Sequence, residues 1–144
     1  MTAIREQIFV AIAAALADPS VGAAEVERMP SGDPALHPAL HIFDGGQRVE
    51  MGEAGTTRYA LTVGIEGFVS GGTGGSAHAA LNALHAATIA AIYDSTALAA
   101  ISEEIEEGAM NVAVADRGDD RTIGFSLDLT IYFATQRGDP AIIN

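Results

Sequence analysis

Apolar residues in the first part of the chain follow a helical beat. Ile4, Ile8, Ala11, Ile12, Ala15 and Leu16 fall on one face of a packed helix, and Asp18-Pro19-Ser20 with Gly22 stops it. Ala23 to Met29 alternates weakly, as a short strand would. The stretch from Pro30 to Pro38 holds three of the five prolines and predicts an exposed loop. Leu40 to Phe43 reads as extended, up to the turn signal Asp44-Gly45-Gly46. Gln47 to Met51 continues as strand into the hairpin connection Gly52-Glu53-Ala54-Gly55.

The beat then becomes two. Tyr59, Leu61, Val63, Ile65 and Val69 share one parity, and Arg58, Thr62 and Glu66 take the other, which is a half-buried strand. The loop Gly71-Gly72-Thr73-Gly74-Gly75 follows, with Ser76 as N-cap of a helix over Ala77 to about Tyr93. Asp94-Ser95-Thr96 breaks that helix, and Ala97 to Ile101 offers one further turn. Ile105 is apolar at odd parity, whereas Met110, Val112 and Val114 are even, so a bulge is expected at Gly108. Asp116 to Arg121 is a charged turn. Ile123, Phe125, Leu127, Leu129, Ile131 and Phe133 alternate without a fault, and from about Gly138 the chain is expected to leave the fold as a tail. Together these elements predict one α+β domain: a mainly antiparallel sheet of four to five strands with two helices on one face.

Composition narrows the chemistry. Of 144 residues 28 are Ala, so a core must be narrow and closely packed. Nineteen acidic residues face seven basic ones, all Arg, for a net charge of −12. The absence of Lys removes the phosphate-loop lysine, Schiff-base chemistry and a lysine base. With no Cys, disulfides, thiol catalysis and cysteine-bound metals go too. The overall field repels phosphate, which disfavours non-specific nucleic-acid binding. The longest apolar run, Ile8 to Ala17, has ten residues, against roughly 20 for a membrane span. Ala15-Leu16-Ala17 imitates a signal-peptide cleavage site, but Glu6 beside Arg5 and the helical repeat favour a packed helix in a cytosolic protein.

Candidate sites meet plain alternatives. Gly71, Gly72, Gly74 and Gly75 lie where phosphate-cradling loops lie, yet fit neither nucleotide fingerprint. His78 and His85, two helical turns apart, are separated by about 10 Å of rise, too far to share a metal ion. His37 and His41 flank a proline, which spoils helical chelation. Glu103, Glu104, Glu106 and Glu107 could supply paired carboxylates, or simply a solvated acidic face. No nucleophile elbow is present. No catalytic, cofactor-binding or metal site is therefore expected. The second helix has no charge from Ala77 to Tyr93, so Ala83, Ala86, Ala87 and Ala90 are candidate subunit contacts.

The layout resembles the tail terminator (tail completion, minor tail) proteins of lambda-like and related long-tailed bacteriophages. The resemblance lies in Arg5 and Ile8-Phe9 of the first helix, then Leu40-His41-Ile42-Phe43-Asp44-Gly45 and the Tyr59–Val69 strand. It continues through Leu81-Asn82-Ala83-Leu84-His85-Ala86 and the exit Asp94-Ser95-Thr96-Ala97-Leu98. It ends in the Phe125–Phe133 strand running into Ala134-Thr135-Gln136-Arg137-Gly138-Asp139-Pro140. This likeness implies a virion protein without catalytic residues. Such a protein forms a ring, usually a hexamer, at the head-proximal end of the tail, where it caps the tube, ends its polymerisation and meets the head connector. DNA would pass through the lumen without specific binding, past six copies carrying −12 each. The Gly71–Gly75 loop, the Glu103–Glu107 cluster and Gly138, Asp139 and Pro140 are then candidate lumen or partner contacts. A head–tail connector or tail-tube subunit is the alternative within the virion. A small cytosolic enzyme or ligand-binding domain using the glycine loop and His78 is the alternative outside it.

Overall fold

The computed structural model describes residues 1–72, 74–117 and 120–144. Thr73 of the glycine loop, and Gly118 and Asp119 of the charged turn, lie outside the described residues. In chain order the elements are α1 (Ile4–Leu16), β1 (Glu25–Arg28), β2 (Ala39–Val49), β3 (Thr56–Ser70) and α2 (Gly74–Asp94). They continue with α3 (Thr96–Ala99), β4 (Glu104–Arg117), β5 (Asp120–Gln136) and β6 (Asp139–Ile143). The sheet runs β1-β2-β3-β5-β4, with β6 also on β5. β1 pairs with β2 in parallel; the other pairs are antiparallel.

The α+β class is as the sequence predicts, but there are six strands and three helices instead of four to five and two. The expected tail is the largest departure. The chain turns at Gly138, whose φ is +80°, and Asp139 to Ile143 returns as β6 against Thr135 and Gln136. Pro140 is compatible with that because an edge strand need not donate on both sides. The Asp44-Gly45-Gly46 signal is a bulge within β2, where the register shifts between Asp44 and Gln47. A Cβ on Gly45 would stand 2.9 Å from Thr62 Cγ2. The expected bulge at Gly108 is present, between Glu107 and Met110.

One sheet face receives the helices. Leu61, Val63 and Ile65 of β3 and Leu127, Leu129 and Ile131 of β5 are buried there with Ile8, Ile12 and Leu16 of α1 and Leu81, Leu84 and Ile92 of α2. α2 packs on β3 and β5, and α1 lies against α2, α3, β1 and β6. Arg5 and Arg28 flank the Phe9 ring and pair with Asp44 and Glu6, which clips α1 to the β1–β2 edge. No helix among the described residues is long and apolar enough to cross a membrane.

Two glycines make the central ladder possible. Gly67 faces Phe125 and Phe68 faces Gly124 in the β3–β5 register. A Cβ on Gly67 would meet Phe125 Cε1 at 2.2 Å, and one on Gly124 would lie 3.3 Å from Phe68 Cδ1. Each ring therefore lies across the glycine of the neighbouring strand, one on each face. Gly67→Ala should destabilise the protein by about 1–3 kcal/mol, since the Phe125 ring has to leave its place. Gly75→Ala is the control, because nothing lies within 4 Å of its missing Cβ. In the first turn of α2 that change should gain about 0.4–1 kcal/mol. Urea midpoints of both variants check this; a Gly67→Ala midpoint equal to wild type would sink the argument.

Candidate functional site

β4 begins as an ordinary covered strand and ends as a bare one. Tyr93 at the end of α2 donates its hydroxyl to the Ile105 carbonyl at 2.9 Å, and Ile105 packs on the core. Beyond the Gly108 bulge every residue up to Ala115 is exposed. Met110, Val112 and Val114 pair with Leu127, Phe125 and Ile123, so they extend the apolar helix-side face of the sheet. Yet they are 36%, 46% and 49% exposed. β4 is also the last strand in the sheet order, so its outer edge has no partner among the described residues. Edge strands are ordinarily guarded by charge or proline. Glu104, Glu106 and Glu107 guard the start of β4, but from Gly108 to Ala115 there is no charged residue.

The acidic cluster does not converge on one point. Glu103 pairs with Arg58 at 3.2 Å, and Arg58 also holds Glu53 at 3.0 Å. Glu106 accepts from the Tyr132 hydroxyl at 3.0 Å, which raises the Tyr132 pKa. Glu104 and Glu107 are exposed. Burial, together with Glu107, Glu104 and Glu106, raises the Tyr93 pKa. No shared proton or pair of buried carboxyls results.

The opposite face of the sheet carries a cleft of about 440 Å³. Its floor is two rows of cross-strand neighbours, Glu66–Ser126–Asn111 and Phe68–Gly124–Ala113. Its wall is the loop before β2, including Asp33, Pro34 and His37, and Val112 and Val114 at the β4 edge and Phe125 border it too. That loop is fixed by one carboxylate. Glu25 Oε1 accepts from the amides of Ala35 and Leu36 at 3.0 and 3.4 Å, and Oε2 lies 2.7 Å from His41 Nε2. The side chains of Glu25 and His41 are only 10% and 3% exposed. The His41 ring in turn meets Phe68 edge-on at 5.4 Å. Glu25, Glu27 and His41 bring ligand-type atoms within 4.8 Å of one another. Both oxygens of Glu25 also make the contacts that hold the loop.

The glycine loop is smaller than expected. Gly74 and Gly75 belong to the first turn of α2, and Ser76 lies inside the helix instead of capping it. Gly71 and Gly72 have φ of +80° and +74°, and the Gly71 amide donates to the Arg121 carbonyl at 3.1 Å. None of these glycines lines the cleft, and His78 is exposed away from it. His85 stacks edge-on against Phe125 at 5.4 Å. Ala83, Ala86 and Ala90 are exposed on α2, whereas Ala87 is half-buried against the core. His41 is visible in the sequence as a failed chelating pair with His37; its contact with Glu25 and the cleft floor are not legible there, because sequence-distant segments meet. Met110, Val112 and Val114 were visible as a parity but not as an uncovered one.

No family model matches this chain, and no curated protein matches it. Among solved structures, one chain of the "Virion of native gene transfer agent (GTA) particle" aligns over 90% of this chain and 92% of its own length. The identity is 14% and the TM-score 0.38, a weak likeness.

The Glu25 carboxyl is held below the ordinary value of 4.5 mainly by its hydrogen bond to His41, with burial opposing and the Ala35 and Leu36 amides helping. Its contribution to stability is therefore complete above the unfolded-state pKa and is lost as pH falls through the lower folded value. Glu25→Gln should be less stable than wild type near neutrality, and the difference should shrink in acid. Urea midpoints between about pH 3 and 6 test this; parallel profiles would show that the carboxylate holds nothing.

Proposed function

We propose that this chain is a structural virion protein that works by self-assembly, without a catalytic step. In the finer reading it forms the ring that ends the tail tube and meets the head connector. The observation that carries the proposal is the bare end of β4. An uncharged run with Met110, Val112 and Val114 exposed on an unpaired edge is a poor surface to leave in water. Covering it with a second copy satisfies both its apolar face and its free backbone groups. The charge-free α2 surface at Ala83, Ala86 and Ala90 is a second, unlike surface. Contacts between unlike surfaces propagate head to tail and close into rings when the rotation allows. The ring geometry, the tube and the connector come from the resemblance of the sequence to tail terminators. The acidity of the chain suits a lumen through which DNA slides, since phosphate is repelled from the wall.

The native mass by light scattering over a concentration series, with negative-stain images of the same fractions, tests this directly. Rings of about six subunits are expected, or a monomer that forms them as concentration rises. Val112→Glu should leave a monomer with wild-type circular dichroism, because the side chain is already half in solvent. A wild type that stays monomeric throughout would overturn assembly. Intact rings of Val112→Glu would remove β4 from the contact.

A further inference from the structure

From the cleft on the open face of the sheet we infer a binding site for a cationic side chain, an arginine presented by a short segment of a partner protein. The inference is independent of the ring. Glu66 is the central observation. It stands on β3, half-buried, in the polar row with Ser126 and Asn111. Among the described residues no cation pairs with it. The Arg residues that do make ion pairs serve other carboxylates, and none lines the cleft. A half-buried carboxylate without a counter-charge attracts an incoming cation more strongly than one fully in water, because less solvent screens the pair.

The next row suits the rest of an arginine side chain. The Phe68 ring lies across Gly124, and Ala113 continues that row, leaving a smooth apolar floor one residue pair from Glu66. A guanidinium at Glu66 could donate to the Asn111 and Ser126 oxygens as well. Its aliphatic stem would cover Ala113, and its plane could lie against Phe68. The volume, about 440 Å³, exceeds one side chain and leaves room for the flanking peptide. The site is preformed, since Glu25 holds its loop wall through Ala35 and Leu36, and His41 braces Phe68. A pre-set wall lowers the ordering cost of binding.

The test uses the full chain and two peptides, Ac-Gly-Arg-Gly-NH2 and its neutral isostere with citrulline, titrated while amide resonances are followed by NMR. The arginine peptide should give saturable shifts at Glu66, Phe68, Asn111 and Ser126, and bind at least about fivefold tighter than the citrulline peptide. Glu66→Gln should erase that difference. Ala113→Leu, on an exposed position that tolerates bulk, should block binding with the carboxylate still present. Shifts that do not saturate, that spread over Glu103–Glu107, or that survive both substitutions would overturn the site. Each of these readouts is a shift or an affinity at the cleft, and the assembly state of the same sample is read separately by light scattering, so failure of the site and failure of assembly stay distinguishable.

Discussion

The ladder between β3 and β5 is the constraint from which the rest of the fold follows. All of β3, Thr56 to Ser70, pairs with Thr122 to Gln136 without a bulge. Strand side chains alternate, so a slip of one residue would move Leu127, Leu129 and Ile131 from the helix side to the open side. The crossed pairs Gly67/Phe125 and Phe68/Gly124 resist such a slip: the Phe125 ring fits only where β3 lacks a Cβ, and the Phe68 ring lies close over Gly124. The same register that assigns the core face to α1 and α2 therefore also puts Phe68 on the open face, where it becomes the floor of the cleft.

The Glu25–His41 pair does a different job. A buried hydrogen bond to a carboxylate brings only a modest net stability, since desolvation offsets much of its attraction. Its value here is positional. Glu25 sits on a four-residue strand at the sheet edge, and one carboxylate links β1, β2 and the loop wall. Without that link, the ten residues between Arg28 and Ala39 would have few reasons to adopt one path. With it, the loop stands over the open face and encloses Glu66.

Elements with a strict period were legible in the sequence: α1, β3, α2 and β5 each follow a beat of 3.6 or 2 along most of their length. The bulge at Gly108 was legible for the same reason, as a change of parity between Ile105 and Met110. Gly138-Asp139-Pro140 read as an exit because glycine and proline mark turns, and nothing local reveals that an edge of β5 waits beyond them. Asp44-Gly45-Gly46 read as a turn because the composition of a bulge and a turn is alike. The cleft lay further out of reach. Glu25, His41, Glu66, Gly124 and Asn111 come from five strands, and only the register brings them together. Charge could have hinted at it, since Glu66 interrupts an otherwise apolar and small-residue strand end, but one carboxylate on a polar face is unremarkable in isolation.

The two proposed surfaces meet at β4. The side chains of Met110, Val112 and Val114 share the helix-side face, and those of Asn111 and Ala113 the open face, while Val112 and Val114 also border the cleft at the strand edge. A neighbour that paired with the free edge would meet the apolar row and would also border the cleft, because Val112 and Val114 line it too. It would act on the cleft, because pairing a bare edge strand on its second side limits the fraying of its backbone. Asn111 and Ala113 would then be held more firmly opposite Ser126 and Gly124. Assembly through this edge would stiffen the proposed site on the open face, so the two surfaces are coupled through a single strand, whose Val112 and Val114 belong to both.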